Sequence, residues 1–341
     1  MEEEGMGQAL SQSQYDAAIR AIESDAATDA EKAEMLMEVA MGMQSRPKEV
    51  DDLHRAIALY RRALELNPEG VLAARIRARL GTALQALPDG GSDALKQARG
   101  FYESALPELA RHGRPEEAAE VEMNLGLTQQ SLAANGGARI QDAIQCYHRA
   151  LRVFTRESHP QEYAILHNNL AIAYLSIPLA DERAQMREAL AVQSFEEVLK
   201  VVNLVDHPSE YAMIQNNLGN ALQYASSGHP LENNLRALAA YDEALKVRNA
   251  RDTPLEYANT LSNKANVLRN LPEDPDAPGM GRESGLLRAR TLYEEAREVF
   301  ARFSNAHGVG VIDDAMLDID GELARARPAN GNGGDGSHAA R

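Results

Sequence analysis

The sequence predicts an all-α protein, an α-solenoid of antiparallel helix pairs. Three observations carry that expectation. The first is a period. Versions of the stretch that starts at His207, His-Pro-Ser-Glu-Tyr-Ala-Met-Ile-Gln-Asn-Asn-Leu-Gly-Asn-Ala, recur at roughly 46 residues, the length of a stacked supersecondary unit. The second is a pair of fixed spacings. Thirteen residues after Tyr102, Tyr147, Phe195 and Tyr241 comes a proline (Pro115, Pro160, Pro208, Pro254), and nine residues after each proline comes an asparagine (Asn124, Asn169, Asn217, Asn263). The third is composition: no Trp, 5% aromatic residues and abundant Ala, Leu and Glu suit close-packed helices better than a sheet sandwich.

Composition also bounds function. A chain of 341 residues is long enough for two ordinary domains or one array, and the period favours the array. The formal charge of −16 argues against nucleic acid, whose phosphates require a basic footprint. No run approaches 18 apolar residues, so no membrane span is expected. The start, Met-Glu-Glu-Glu-Gly, is acidic where a secretory signal is basic and then apolar. The single cysteine, Cys146, excludes an intramolecular disulfide framework and suits a reducing, cytoplasmic setting.

Along the chain, residues 1–10 carry too little apolar pattern to form an element and are expected to be a flexible N-terminus. Helix-pair repeats, about six of them, are expected over 11–327, with 11–49 and 284–327 as divergent caps. Tyr15, Ala18, Ile19 and Ile22 follow the i, i+3, i+4, i+7 rule of an amphipathic helix. A second helix is predicted from Ala30 to Met43, where Met35, Met37, Met41 and Met43 serve as adaptable core filling. Then one helix recurs six times, as Tyr60-Arg-Arg-Ala-Leu, Tyr102-Glu-Ser-Ala-Leu, Tyr147-His-Arg-Ala-Leu, Phe195-Glu-Glu-Val-Leu, Tyr241-Asp-Glu-Ala-Leu and Tyr293-Glu-Glu-Ala. In the first five, small or branched apolar residues follow the aromatic at +3 and +4 and extend its stripe, and in the sixth Ala296 does so at +3. Gly-, Pro-, Ser- and Asp-rich connectors at 88–92, 134–138, 226–230 and 272–284 join the helices. After Tyr293 the pattern weakens into a closing helix over 305–327, as terminal repeats must present a polar outer face. The Gly/Asn-rich tail 328–341 has no apolar pattern and is expected to be disordered.

The prolines mark helix starts, because the first helical position needs no backbone N–H and already has proline's φ. Glu117, Glu162, Glu210 and Glu256 follow two residues later, where a carboxylate favours the positive end of the helix dipole. Thr253 with Glu256 forms a capping-box pattern, and His159 and His207 occupy the cap position of Thr253.

The repeated unit resembles the tetratricopeptide repeat, in the long-period form of kinesin light chain-like proteins and large bacterial arrays. The residues that carry the resemblance are His159-Pro-x-Glu-Tyr-Ala-x-x-x-Asn-Asn-Leu-Ala-x-Ala-Tyr, its copy at 207–222, and second helices such as Ala237 to Leu245. The signature leucine, small residue and aromatic stand as Leu170, Ala171 and Tyr174. In the next copy they become Leu218, Gly219 and Leu222, and Lys264 later replaces the leucine. The resemblance covers 50–272 clearly and 11–49 and 284–327 weakly. It implies a right-handed superhelix whose first helices line a concave groove, and a ligand that is a peptide, chain terminus or helix of another protein.

The asparagines point to the same face without the family. At 100° per residue, Asn216, Asn217 and Asn220 share a wedge of about 100°, with Leu218 and Leu222 roughly opposite. The neighbouring copies add Asn259, Asn263 and Asn266 on one side and Asn124, Asn168 and Asn169 on the other. Asparagine is a poor residue inside a helix, so nine of them call for a reason. Each amide offers a donor and an acceptor and can pair with a bound peptide backbone. The regularly spaced Asn169 and Asn217 serve equally well as braces between helices, whereas the extra asparagines favour the groove. Tyr224 and Gln223 add a ring and an amide nearby, and Arg269 and Lys264 are the nearby cations.

No Gly-x-x-x-x-Gly-Lys loop, His-Glu-x-x-His or cysteine pair occurs, so no catalytic residue, metal or cofactor is expected. The leading expectation is a non-enzymatic protein-interaction module that holds a partner segment in an asparagine-lined groove. The alternatives are a dedicated escort factor for a subunit of an enzyme complex and a peptide-responsive regulator. Exposed terminal repeats would also allow homo-oligomers.

Overall fold

The computed structural model describes residues 15–17, 19, 20, 22, 26–177, 182–225, 229–271 and 282–326. The expected flexible N-terminus 1–10, the tail 328–341 and most of the connectors 226–230 and 272–284 lie outside them. The described residues are helical with no strand, and the chain divides into two compact units, Met1–Ile177 and Pro178–Arg341.

The first unit contains α1 (Asp29–Ser45), α2 (Val50–Glu65), α3 (Gly70–Gln85), α4 (Gly91–His112), α5 (Pro115–Ala133), α6 (Ile140–Ala150) and α7 (Pro160–Leu175). The pairs α1/α2, α3/α4 and α5/α6 stack in order, and α7 packs on α6. The second unit contains α8 (Glu182–Val198), α9 (Pro208–Tyr224), α10 (Pro230–Leu245), α11 (Pro254–Asn270), α12 (Arg282–Arg302) and α13 (Ala306–Ala326). Here α9/α10 and α11/α12 form the pairs, α8 packs on α9, and α13 closes on α12. Each unit is a run of antiparallel helix pairs, the solenoid class that the period predicts.

Two residue types fix the pairing. The recurrent tyrosine of each second helix is sealed from water: Tyr60, Tyr102, Tyr147 and Tyr241 are all 0% exposed. Opposite three of them stands a glycine of the first helix. A Cβ on Gly81 would lie 2.8 Å from Cε1 of Tyr102, one on Gly126 2.5 Å from Cε1 of Tyr147, and one on Gly219 2.6 Å from Cε1 of Tyr241. The ring therefore fills the space that a side chain would take, at the density of a packed interior. The hydroxyls still need acceptors. Tyr60 donates to Gln44, Tyr102 to Gln85 and Tyr147 to Gln130, at 2.7, 2.9 and 2.8 Å. Burial raises the pKa of all four phenols, which stay protonated.

The helix starts follow the sequence, and one detail differs. Pro115, Pro160, Pro208 and Pro254 open their helices, and Pro230 opens α10. Thr253 does not close a capping box with Glu256. Its Oγ1 accepts instead from the Asn249 backbone N–H at 3.0 Å. Oδ1 of Asn249 in turn accepts from the backbone of Arg251 and Asp252, at 3.0 and 2.9 Å. Asn203 makes the same turn before Pro208, through Val205 and Asp206. The polar residue five positions before the proline is thus a turn residue that competes for Thr253. A complete capping box does open α1, between Thr28 and Glu31.

Of the methionines in α1, Met37 is buried, Met35 and Met43 pack against the core, and Met41 is exposed. The closing helix α13 buries Ile312, Ile319 and Leu323 and is tied down by charge. Arg290 reaches Asp320 at 2.9 Å and Arg297 reaches Asp313 at 2.5 Å. No helix of the described residues is long and apolar enough to cross a membrane.

Candidate partner-binding face

The first helix of each pair offers the face away from its tyrosine partner. Within the first unit that face is held together by ion pairs one repeat apart. Arg75 of α3 grips Glu117 of α5 with two N–H donors, at 2.7 and 3.2 Å, and Arg79 reaches Glu120 at 3.2 Å. The Arg75 hydrogen bond is the main reason that the carboxyl of Glu117 titrates below its ordinary range. Asn124 stands beside these four side chains on a small recess of about 30 Å³. Asn168 and Asn169 are half-buried on α7, and Oδ1 of Asn168 is sealed from solvent with no partner among the described residues.

In the second unit the corresponding positions carry no such ion pairs, and amides take over. They fall into two sets. Asn216 departs from the expectation of an open face: it is only 8% exposed. Its Oδ1 accepts from Oγ1 of Thr260 at 3.2 Å and from Nδ2 of Asn263 at 3.3 Å, so it binds α9 to α11. Asn220 and Asn266 are half-buried, and each spends its oxygen on the buried tyrosine of its own pair. Tyr241 donates to Asn220 at 2.7 Å and to Gln223 at 3.1 Å, and Tyr293 donates to Asn266. The physical reason is the tyrosine. A sealed hydroxyl must find an acceptor, and an amide one helical position beyond Gly219 or Ala265 is the group in reach.

The second set keeps its hydrogen-bonding capacity. Asn259 is exposed and Asn217 half-buried, and neither side chain has a hydrogen bond among the described residues. Asn263 uses one donor on Asn216 and retains its oxygen. Met213, 41% exposed, lies one turn before Asn217 on α9, and Tyr224 stands 69% exposed at the end of that helix.

The cations near these rows are engaged. Lys264 pairs with Asp242. Arg269 is bound to Asp318 and Glu322 of α13, at 3.1 and 3.3 Å, and serves to fasten the closing helix. A third cation, Arg248, is one that sequence reasoning missed. It follows Tyr241 by seven residues, where the earlier copy has the buried Phe154, and its Nη1 donates to Oγ1 of Thr260 at 2.8 Å. Burial pulls the pKa of this guanidinium down. Thr260, 0% exposed, was missed as well. It stands one turn before Asn263, and that spacing is the signal by which it could have been found.

Among the described residues no group of three or more His, Cys, Asp or Glu could hold a metal. The thiol of Cys146 is buried.

No protein-family model matches the chain, and no curated protein does. Among solved structures the chain is similar to BtubC (BKLC) from P. vanneervenii, with 22% identity, TM-score 0.49 and coverage of 70% of this chain and 89% of that one. It is similar to TTC0263, a thermophilic TPR protein in Thermus thermophilus, at 18% identity and TM-score 0.37 over 74% of this chain and 98% of that one. A Rap protein complexed with Competence and Sporulation Factor shares 12% identity at TM-score 0.36, over 87% of this chain and 82% of that one. Likeness at these levels carries no argument about function, and the solenoid assignment rests on the helix pairs themselves.

Proposed function

We propose that the amide-bearing face of the second unit binds an extended segment of a partner protein, and that the protein acts by interaction and not by catalysis. The observation that carries this reading is the division among the asparagines. Asn216, Asn220 and Asn266 have structural partners, whereas Asn217 and Asn259 have none among the described residues and reach solvent. Asparagine destabilises a helix interior by several tenths of a kcal/mol relative to alanine. A brace explains that cost for the first set and leaves it unexplained for the second.

Pairing with a peptide backbone supplies the reason. An amide donates and accepts at once, so a row of Asn217, Asn259 and the free oxygen of Asn263 can pair with successive peptide groups of an extended chain. Such pairing gives affinity without selecting sequence. Exposed Met213 and Tyr224 beside the row would supply the side-chain preference. Arg269 and Lys264, held by carboxylates of the protein itself, leave a ligand carboxylate without a ready partner.

The test is a selection of wild-type protein against a display library of random peptides, followed by affinity measurement of the recovered sequences. Asn217→Ala combined with Asn259→Ala should weaken them at least tenfold while helicity and melting stay unchanged. Recovered peptides that bind the double variant as well as wild type would overturn the reading.

A further inference from the structure

A site of a different kind lies at the N-terminal end of the first unit. Tyr15, Ile19 and Ile22 stand beside α1 and α2, and between them lies a cavity of about 430 Å³. The recess between α3 and α5 in the same unit measures about 30 Å³. Small-molecule pockets occupy about 300–1,000 Å³. The floor of the larger cavity is core: Ile22, Leu36 and Leu59 are 5%, 3% and 1% exposed. Half-buried Tyr15, Ile19 and Leu66 make the walls. Such a wall offers water few partners and forfeits dispersion contacts while unfilled.

The mouth is polar and carries Asp29, Lys32 and Arg62. Arg62 is held by Glu65 at 2.8 Å. Lys32 is half-buried and has no ion pair among the described residues. Asp29 shares the mouth but makes no ion pair with Lys32 among the described residues, so the ammonium keeps its charge beside the apolar cavity. Its single charge calls for an anion, and the floor calls for hydrocarbon.

We infer that this cavity binds the aliphatic tail of a small carboxylate amphiphile, with the carboxylate on Lys32. The inference is independent of the partner-binding face. An apolar peptide side chain would satisfy the floor but not Lys32, and a cationic amphiphile would meet Lys32 with repulsion.

Calorimetric titration of the full chain with dodecanoate below its micellar concentration tests this. Saturable binding at one site per chain is expected, with dodecyltrimethylammonium at least tenfold weaker. The protein's net charge makes the contrast sharp, because non-specific adsorption would favour the cation. Ile19→Trp should fill the cavity and abolish the binding, and Lys32→Glu should weaken it at least tenfold. Lys32→Glu leaves the core untouched, so it decides the matter alone if Ile19→Trp loses helicity. Absence of saturable heat, equal affinity for the two surfactants, or dodecanoate affinity unchanged in either folded variant overturns the proposal.

Discussion

Gly219 faces the ring of Tyr241 so closely that a Cβ on the glycine would lie 2.6 Å from Cε1. The contact sets the spacing of α9 and α10, since the ring is 0% exposed and its hydroxyl is anchored on Asn220 and Gln223. The same glycine–tyrosine contact joins α3 to α4 and α5 to α6.

Gly219→Ala should therefore destabilise the protein. Overpacking costs about 1–3 kcal/mol, and the helix propensity of alanine returns about 1 kcal/mol, so a net loss of up to about 2 kcal/mol is expected. Gly100 in α4 has open space where its Cβ would stand. There the same substitution should stabilise by about 0.5–1 kcal/mol. Urea unfolding of the two variants in one buffer should shift the midpoint in opposite directions.

Asn216 and Asn217 are adjacent in sequence and differ in role. Asn216→Ala removes the acceptor that Thr260 and Asn263 share, while the Thr260 hydroxyl keeps the Glu256 carbonyl at 2.8 Å, and should cost about 0.5–1.5 kcal/mol. Asn217→Ala breaks no hydrogen bond of the described residues and should leave stability within about 0.5 kcal/mol of wild type. Thermal melting of the two single variants would separate the brace from the free amide.

Stability should fall in mild acid through His148. Its Nε2 lies 2.9 Å from the Tyr174 hydroxyl, and although the residue as a whole is exposed, partial desolvation of the ring holds its pKa below the ordinary 6.5. The folded pKa lies below the unfolded one, so the contribution is fully present above pH 6.5 and is lost as pH falls through the folded value. His148→Gln should flatten the stability profile below about pH 6.5, measured as melting temperature against wild type. Parallel profiles would mean that the imidazole is not held neutral.

The thiol of Cys146 should be inert while the protein is folded. Burial first, and the nearby Glu122 next, push its pKa up to about 12. The thiolate is the reactive species. At pH 8 its reaction with a disulfide reagent should run about a thousandfold slower than that of a free cysteine. The measurement is the reagent's absorbance before and after guanidinium is added.

The helix pairs were legible because their signals are local and periodic. Proline at the first position and an aromatic with small residues one turn on act within one unit and recur with it, whereas the glycine opposite the tyrosine emerges as a recurrent contact only from the structure. The turn before each proline was less so. Thr253 and Glu256 fit a capping box, but the threonine hydroxyl accepts from the backbone N–H of Asn249 in the preceding turn at 3.0 Å.

The candidate face was legible as a set of asparagines and not as roles. The wedge that holds Asn216, Asn217 and Asn220 contains one buried brace, one free amide and one acceptor for a tyrosine. A helical wheel gives direction but not what the adjacent helix presents there. The sequence by itself determined the repeat, the helix starts and the residues that pack each pair, because each follows from backbone chemistry within one unit. Tertiary structure decided which amides are spent, that Arg248 reaches Thr260, and that a cavity opens beside Lys32. Those depend on groups distant in sequence, from 12 residues for Arg248 and Thr260 to 47 for Asn216 and Asn263. The packing of different helices brings them together, and there a sealed donor takes the acceptor in reach.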